Sequence, residues 1–151
     1  MNIRWRQALN RIRSEERGSD TVELAIQMVL WPMFFAIVIA GGRLVTADHS
    51  VETAATDAAR SASISRTATD ARSTGIATAR HTLANQGLPC RSTTVTLDTS
   101  EFAKPPGQPA KTTATVTCQV TLSDLLLPGI PGSITMTRTM TSPIDTFRER
   151  R

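Results

Sequence analysis

The chain has 151 residues, a formal charge of +4 and 4% aromatic residues, with two Trp, four Phe and no Tyr. That length holds one modest domain beside a membrane segment, and the shortage of aromatics excludes a large aromatic core. The positive charge gathers at the two ends, in Arg4, Arg6, Arg11, Arg13 and Arg17 and again in Arg148, Arg150 and Arg151. There is no basic stripe interleaved with aromatics, so nucleic acid is not an expected partner.

Residues 1–18 read as a basic leader and residues 19–43 as a transmembrane helix. From Leu24 to Gly42 there are 19 residues without a formal charge. At about 1.5 Å of rise per residue they span nearly 30 Å, the thickness of a hydrocarbon core. The Arg excess precedes this segment, while Arg43 is followed by Asp48, Glu52 and Asp57. Positive residues stay cytoplasmic, which predicts a cytoplasmic amino terminus and an extracytoplasmic region from about residue 44 onward. Glu23 stands at the threshold of the apolar segment, where a carboxylate costs several kcal/mol unless it stays at the interface or meets a partner. Pro32 is expected to kink the helix or remove one backbone hydrogen bond, and Gly41-Gly42-Arg43 to mark the outer boundary and serve as a hinge.

Three targeting readings compete for residues 1–47. Val45-Thr46-Ala47 offers a small-x-small signal-peptidase site, which would release a small secreted binding domain near Ala47. An uncleaved signal anchor fits the length and charges, and would make the chain a bitopic envelope adaptor. In that reading Gly18 merely precedes the helix, which Asp20 and Thr21 then cap. The third reading uses the spacing of Gly18, Ser19 and Glu23. Gly18, four residues and then Glu23 directly before an apolar helix resembles the type III signal of type IV prepilins. The wider context, Glu16-Arg17-Gly18-Ser19, Val22-Glu23-Leu24-Ala25 and Trp31-Pro32, resembles the TadE-like (TadE/TadG) pilin-like proteins of tight-adherence (Tad/Flp) pilus assembly.

That resemblance implies cleavage by a membrane prepilin peptidase after Gly18, a new amino terminus on Ser19, and Glu23 as the fifth residue of the mature chain. It implies that Glu23 pairs with the amino terminus of a neighbouring subunit as helices stack. Its implied partners are the peptidase, other pilin-like subunits and the pilus assembly platform, and its location is the cell membrane or a surface filament. Major Flp pilins usually carry Tyr after the glutamate, whereas this chain has Leu24 and is much longer, which favours a minor, pseudopilin-like subunit.

Residues 44–86 read as helical. Val51, Ala54 or Ala55, Ala58 and Ala62 recur at helical spacing, with Asp48, Glu52, Asp57 and Arg60 on the other side. Ser65-Arg66-Thr67 interrupts the pattern, and Ile76, Ala79 and Leu83 mark the buried side of a second helix ending at Asn85-Gln86-Gly87-Leu88-Pro89. From residue 90 to 142 the period changes to two. Val95 and Leu97 alternate with Thr94, Thr96 and Asp98. Ala114, Val116, Cys118, Val120 and Leu122 share one face of a strand over 113–122, and Ile134, Met136 and Met140 share one face of another. The expected fold is therefore α+β: a long amino-terminal helix continuing into an Ala-rich helical region packed on an antiparallel sheet of about three strands with a Thr-rich solvent face. Lys104-Pro105-Pro106-Gly107-Gln108-Pro109 reads as an exposed loop. The segment from Ser123 to Gly132 reads as a connection whose apolar residues either fold back on the sheet or form an exposed patch.

Cys118 is expected to point inward, and Cys90 to lie where helix hands over to sheet. In an oxidising compartment a bridge would tie helix to sheet and contribute roughly 3–4 kcal/mol by loop entropy; the alternative is two free thiols. No catalytic constellation is found. His49 and His81 are 32 residues apart with no ligand set around either, so neither metal nor cofactor is expected. No phosphate loop or nucleophile elbow occurs. The chain reads as a substrate of a peptidase and not as an enzyme.

Overall fold

The computed structural model describes residues 3–121 and 132–147, with side chains from Thr21 onward within those ranges. The chain is α+β, with the order α1 (Ile3–Ser63), α2 (Ala68–Asn85), β1 (Cys90–Asp98), a short 3-10 turn at Ser100–Ala103, β2 (Ala110–Thr121) and β3 (Ser133–Ile144). It divides into two compact units, residues 1–42 and 43–151.

In the second unit the carboxy-terminal third of α1 presents a stripe of small residues. Val51, Ala54, Ala55, Ala58, Ala59 and Ala62 are all buried. The helix stops at Ser63, as the polar run Ser65-Arg66-Thr67 predicts. Thr67 then caps α2: its backbone is extended and its hydroxyl accepts from the Asp70 N–H at 3.0 Å, satisfying a first-turn donor that has no intrahelical acceptor. At the far end Gly87 takes φ +64°. The Leu88 N–H donates to the Leu83 carbonyl and the Gly87 N–H to the Ala84 carbonyl, a Schellman closure that needs the left-handed conformation glycine adopts freely.

The sheet is antiparallel in the order β1-β2-β3, so the central strand is also the most regularly alternating one. Ala110, Thr112, Ala114, Val116, Cys118 and Val120 of β2 are buried in strict alternation. Outward on the same strand, Thr113, Thr115 and Thr117 pair with Thr141, Thr139 and Thr137 of β3, with oxygens 2.9–3.1 Å apart. Such hydroxyl pairs stabilise register on the solvent face. Pro143 is accommodated because β3 is an edge strand and needs no ladder hydrogen bond on its outer side.

Ten of the eighteen residues in the core cluster are alanine, which lets backbones come close. The extreme case is Gly75 of α2. A Cβ there would lie 2.6 Å from Leu97 Cδ2 of β1 and 3.1 Å from the Ala58 carbonyl oxygen of α1. Polar ties complete the packing. Thr82 of α2 donates to Asp57 of α1 at 2.9 Å, and Ser142 of β3 donates to Ser63 at 3.0 Å. Arg138 of β3 forms an ion pair with Asp48, which draws a charged side chain of the edge strand back toward α1.

Several expectations change. The helix runs through Gly18, so Asp20 and Thr21 lie inside α1 and do not cap it. The disulfide links Cys90 and Cys118, whose Cα atoms are 5.5 Å apart. Because Cys90 is already the first residue of β1, the bridge joins two neighbouring strands and does not tie helix to sheet. In the ladder Cys90 stands opposite Val120 and Cys118 opposite Thr93, with a register irregularity between Cys90 and Ser92. The expected open loop at 104–109 is preceded by a helical turn that buries Phe102. Leu122, the connection up to Pro131 and Arg148 lie outside the described residues.

Candidate membrane segment and assembly site

In the first unit, the segment after Glu23 is apolar around its whole circumference. Thirteen large apolar residues from Val22 to Ile39 are between 54% and 70% exposed. An amphipathic surface helix would leave only its polar side open. At about 1.5–3 kcal/mol for each large side chain fully removed from water, this surface represents on the order of 10–20 kcal/mol of unrealised burial. It forms part of a stretch, Thr21–Ser63, long and apolar enough to cross a membrane and near the amino terminus.

Two strongly polar side chains interrupt this segment, and they are joined. Gln27 Nε2 donates to Glu23 Oε1 at 3.3 Å. Four residues apart on a helix, the two lie one above the other on the same face. The same four-residue step continues to Trp31 and Phe35, whose rings stack at 6.0 Å, with Phe34 meeting both at 6.3 and 5.8 Å. One face thus carries a carboxylate, an amide and an aromatic cluster in succession. The other carries Ala25, Val29, Met33 and Ala36. Gly18 and Ser19 sit just over one turn before this stripe, within α1.

The histidines and cysteines singled out by sequence lie in the second unit. His49 lies 3.6 Å from Glu52, and His81 is within 3.1 Å of Asn85 on α2. Among the described residues no three side chains of metal-binding type gather. The second unit carries two restrained carboxylates, Glu101 and Asp98. Glu101 takes the Lys104 ammonium at 3.0 Å and the Lys111 N–H at 2.7 Å. The Lys104 contact, with that backbone donor second, holds its carboxyl below the ordinary range. Asp98 is likewise held low by the Ser100 hydroxyl and then the Ser100 N–H. Both contacts pin the turn between β1 and β2. No family model, curated protein or solved structure matches this chain.

Of the stripe residues, Glu23 is conspicuous in the sequence because it is charged. Gln27 is visible as the polar residue inside the apolar run, but its role depends on the hydrogen bond to Glu23. The Trp31-Phe34-Phe35 cluster reads in sequence as membrane filling, and its helical spacing is the signal that puts it on the face of Glu23.

Proposed function

We propose that this chain is a TadE-like minor pilin or pseudopilin, a membrane-anchored structural component of a tight-adherence pilus or a related secretion apparatus. Prepilin peptidase cuts after Gly18, removing the basic leader that resists extraction from the bilayer. The amino terminus faces the cytoplasm, and the disulfide-bonded α+β head is displayed outside. The single observation carrying this reading is the joint occurrence of Gly18 and Glu23, at the family's spacing, on the threshold of a helix that is apolar all round. Glu23 guides lateral helix association because a carboxylate in lipid gains most when it meets the α-ammonium of a neighbouring Ser19. The head has the role of a scaffold in this reading, and the chain is a peptidase substrate with no reaction of its own.

The uncleaved anchor is the second reading, favoured by the continuity of α1 through Gly18 and Ser19. A peptidase must unwind its substrate locally to reach a backbone carbonyl. Glycine lowers that cost by about 1 kcal/mol relative to alanine, so the continuity is compatible with processing. The deciding experiment is the mass and amino-terminal sequence of the chain recovered from membranes with and without an active prepilin peptidase. A terminus at Ser19 that depends on the peptidase is expected. An intact Met1 in its presence identifies the adaptor, and a terminus at Asp48 identifies a secreted domain.

A further inference from the structure

We infer that the cleft between the start of α2 and the turn after β1 binds a carboxylate carried on a short aliphatic group. Ala68, Thr69, Arg72, Ser73, Ile76 and Thr99 line this cleft, whose volume is about 360 Å³, at the small end of the range for ligand pockets. Ala68, Arg72 and Ile76 follow one another at four-residue steps, so α2 presents them on one face. Ala68 and Ile76 are half-buried and pack against the core, which gives the cleft an apolar wall. Thr99 stands on the other side, and its hydroxyl is not used as its position suggests. It occupies the cap position of the 3-10 turn yet makes no capping bond; Asp98 takes the Ser100 N–H instead. Thr99 is only 5% exposed. Its hydroxyl accepts from Arg72 at 3.5 Å, beyond the usual length of such a bond, and its own proton has no acceptor among the described residues. A buried donor left open is costly, and a ligand oxygen would meet it.

Arg72 supplies the charge. It forms no ion pair among the described residues, and a guanidinium fork matches a carboxylate or a phosphate through two parallel hydrogen bonds. The surroundings choose between these. Asp98 lies within electrostatic reach of Arg72, and Asp70 stands in the first turn of α2. One cation flanked by two carboxylates favours a ligand with a single negative charge over the nearly doubled charge of a phosphate monoester. A bound carboxylate accepts from the Arg72 fork and from the Thr99 hydroxyl together. Its aliphatic group lies on Ala68 and Ile76, where burial adds to the affinity. Free branched-chain acids and the carboxyl end of a polypeptide both carry this chemistry. The site belongs to the second unit alone and depends on neither the membrane span nor cleavage after Gly18.

The test is a methyl NMR titration of the full chain in non-ionic detergent with isovalerate at constant ionic strength. Saturable shifts are expected at the methyls of Ala68, Ile76 and Thr99, and none with isovaleramide, the uncharged isostere, at the same concentrations. Arg72→Gln should lower the affinity on the order of tenfold or more, since it removes bonds to a charged group. Thr99→Val should lower it about threefold to tenfold, while Thr99→Ser keeps the hydroxyl and should bind like the native chain. Methyl signals outside the cleft show that each variant is folded, and the exposed Arg72 variant decides the matter if Thr99→Val is not. The tripeptide Ala-Ala-Val, with a free carboxyl or as its terminal amide, distinguishes the two sources. Tighter binding of the free peptide than of isovalerate assigns the site to a chain end, and the reverse assigns it to a free acid. The carboxylate site is overturned by any of four results: no saturable shift with either acid, equal shifts with isovaleramide, tighter binding of inorganic phosphate, or undiminished binding by Arg72→Gln.

Discussion

The two units of this protein are built from opposite solutions to the same problem. The head hides its apolar atoms by using small ones: an alanine stripe on α1, an alanine and glycine face on α2, and a sheet whose buried face alternates with threonine. The span from Val22 to Ile39 carries large side chains and hides none of them. In water a helix with that surface gains nothing from being monomeric, whereas in a bilayer lipid tails cover it without any protein partner. The lesson is that residue size and exposure together separate the units. The head is closed by its own packing, and the span is completed by its surroundings.

The largest effect expected from breaking this contrast is on the span. Met33→Arg with Ala36→Arg puts two guanidinium groups near its centre, at about 2.5–3.5 kcal/mol each. Retention after alkaline carbonate treatment should collapse, while the near-ultraviolet signal and the unfolding midpoint of the head in detergent stay unchanged. Loss of head stability in this variant would mean that the units are not energetically separate.

Removal of the bridge acts on the other side. Cys90→Ser with Cys118→Ser opens a loop with a sequence separation of 28 residues and should cost about 3–4 kcal/mol, read as a lower urea midpoint of the full chain in detergent. Membrane retention should not move.

Close approach in the head is tested by Gly75→Val. Leu97 and the Ala58 carbonyl leave no room for a branched side chain. Overpacking here should cost about 1–3 kcal/mol, with α2 losing hydrogen-exchange protection first. A neutral result would show that Leu97 repacks without strain.

The smallest expected effect is a pH dependence confined to the turn between β1 and β2. Glu101 and Asp98 have folded-state pKa values below their ordinary values of 4.5 and 3.8. Their contribution is therefore complete above those ordinary values and is lost as the pH falls through the lower folded values. The amides of residues 99–111 should exchange faster with solvent once the pH drops below about 4, beyond the change intrinsic to unstructured peptide. Glu101→Gln should reduce this acid-dependent component, and an unchanged profile in that variant would assign it to other groups.

Much of this organisation was legible in the sequence. The period of 3.6 in Val51, Ala55, Ala58 and Ala62 and the period of two in Ala114, Val116, Cys118 and Val120 identify buried faces, because both report side-chain direction directly. The break at Ser65-Arg66-Thr67 and the stop at Gly87 are local chemistry of caps and left-handed backbone. Phe102 escaped because it is a single apolar residue in a polar stretch, and a 3-10 turn of four residues has no period to detect. Gly75 escaped for a related reason. A glycine inside a helical pattern signals a propensity cost, and the neighbour that requires it, Leu97, is 22 residues away in another element.

By itself, then, the sequence determined the class of the molecule, the apolar segment, the threshold position of Glu23 and the number of strands, since each is a property of neighbours along the chain. Tertiary structure decided what the periodic faces meet: that Cys90 joins a strand to a strand, that α2 approaches β1 closely enough to need Gly75, and that Arg138 turns back to Asp48. Those outcomes depend on register and on distances between segments far apart in sequence, which no local pattern encodes.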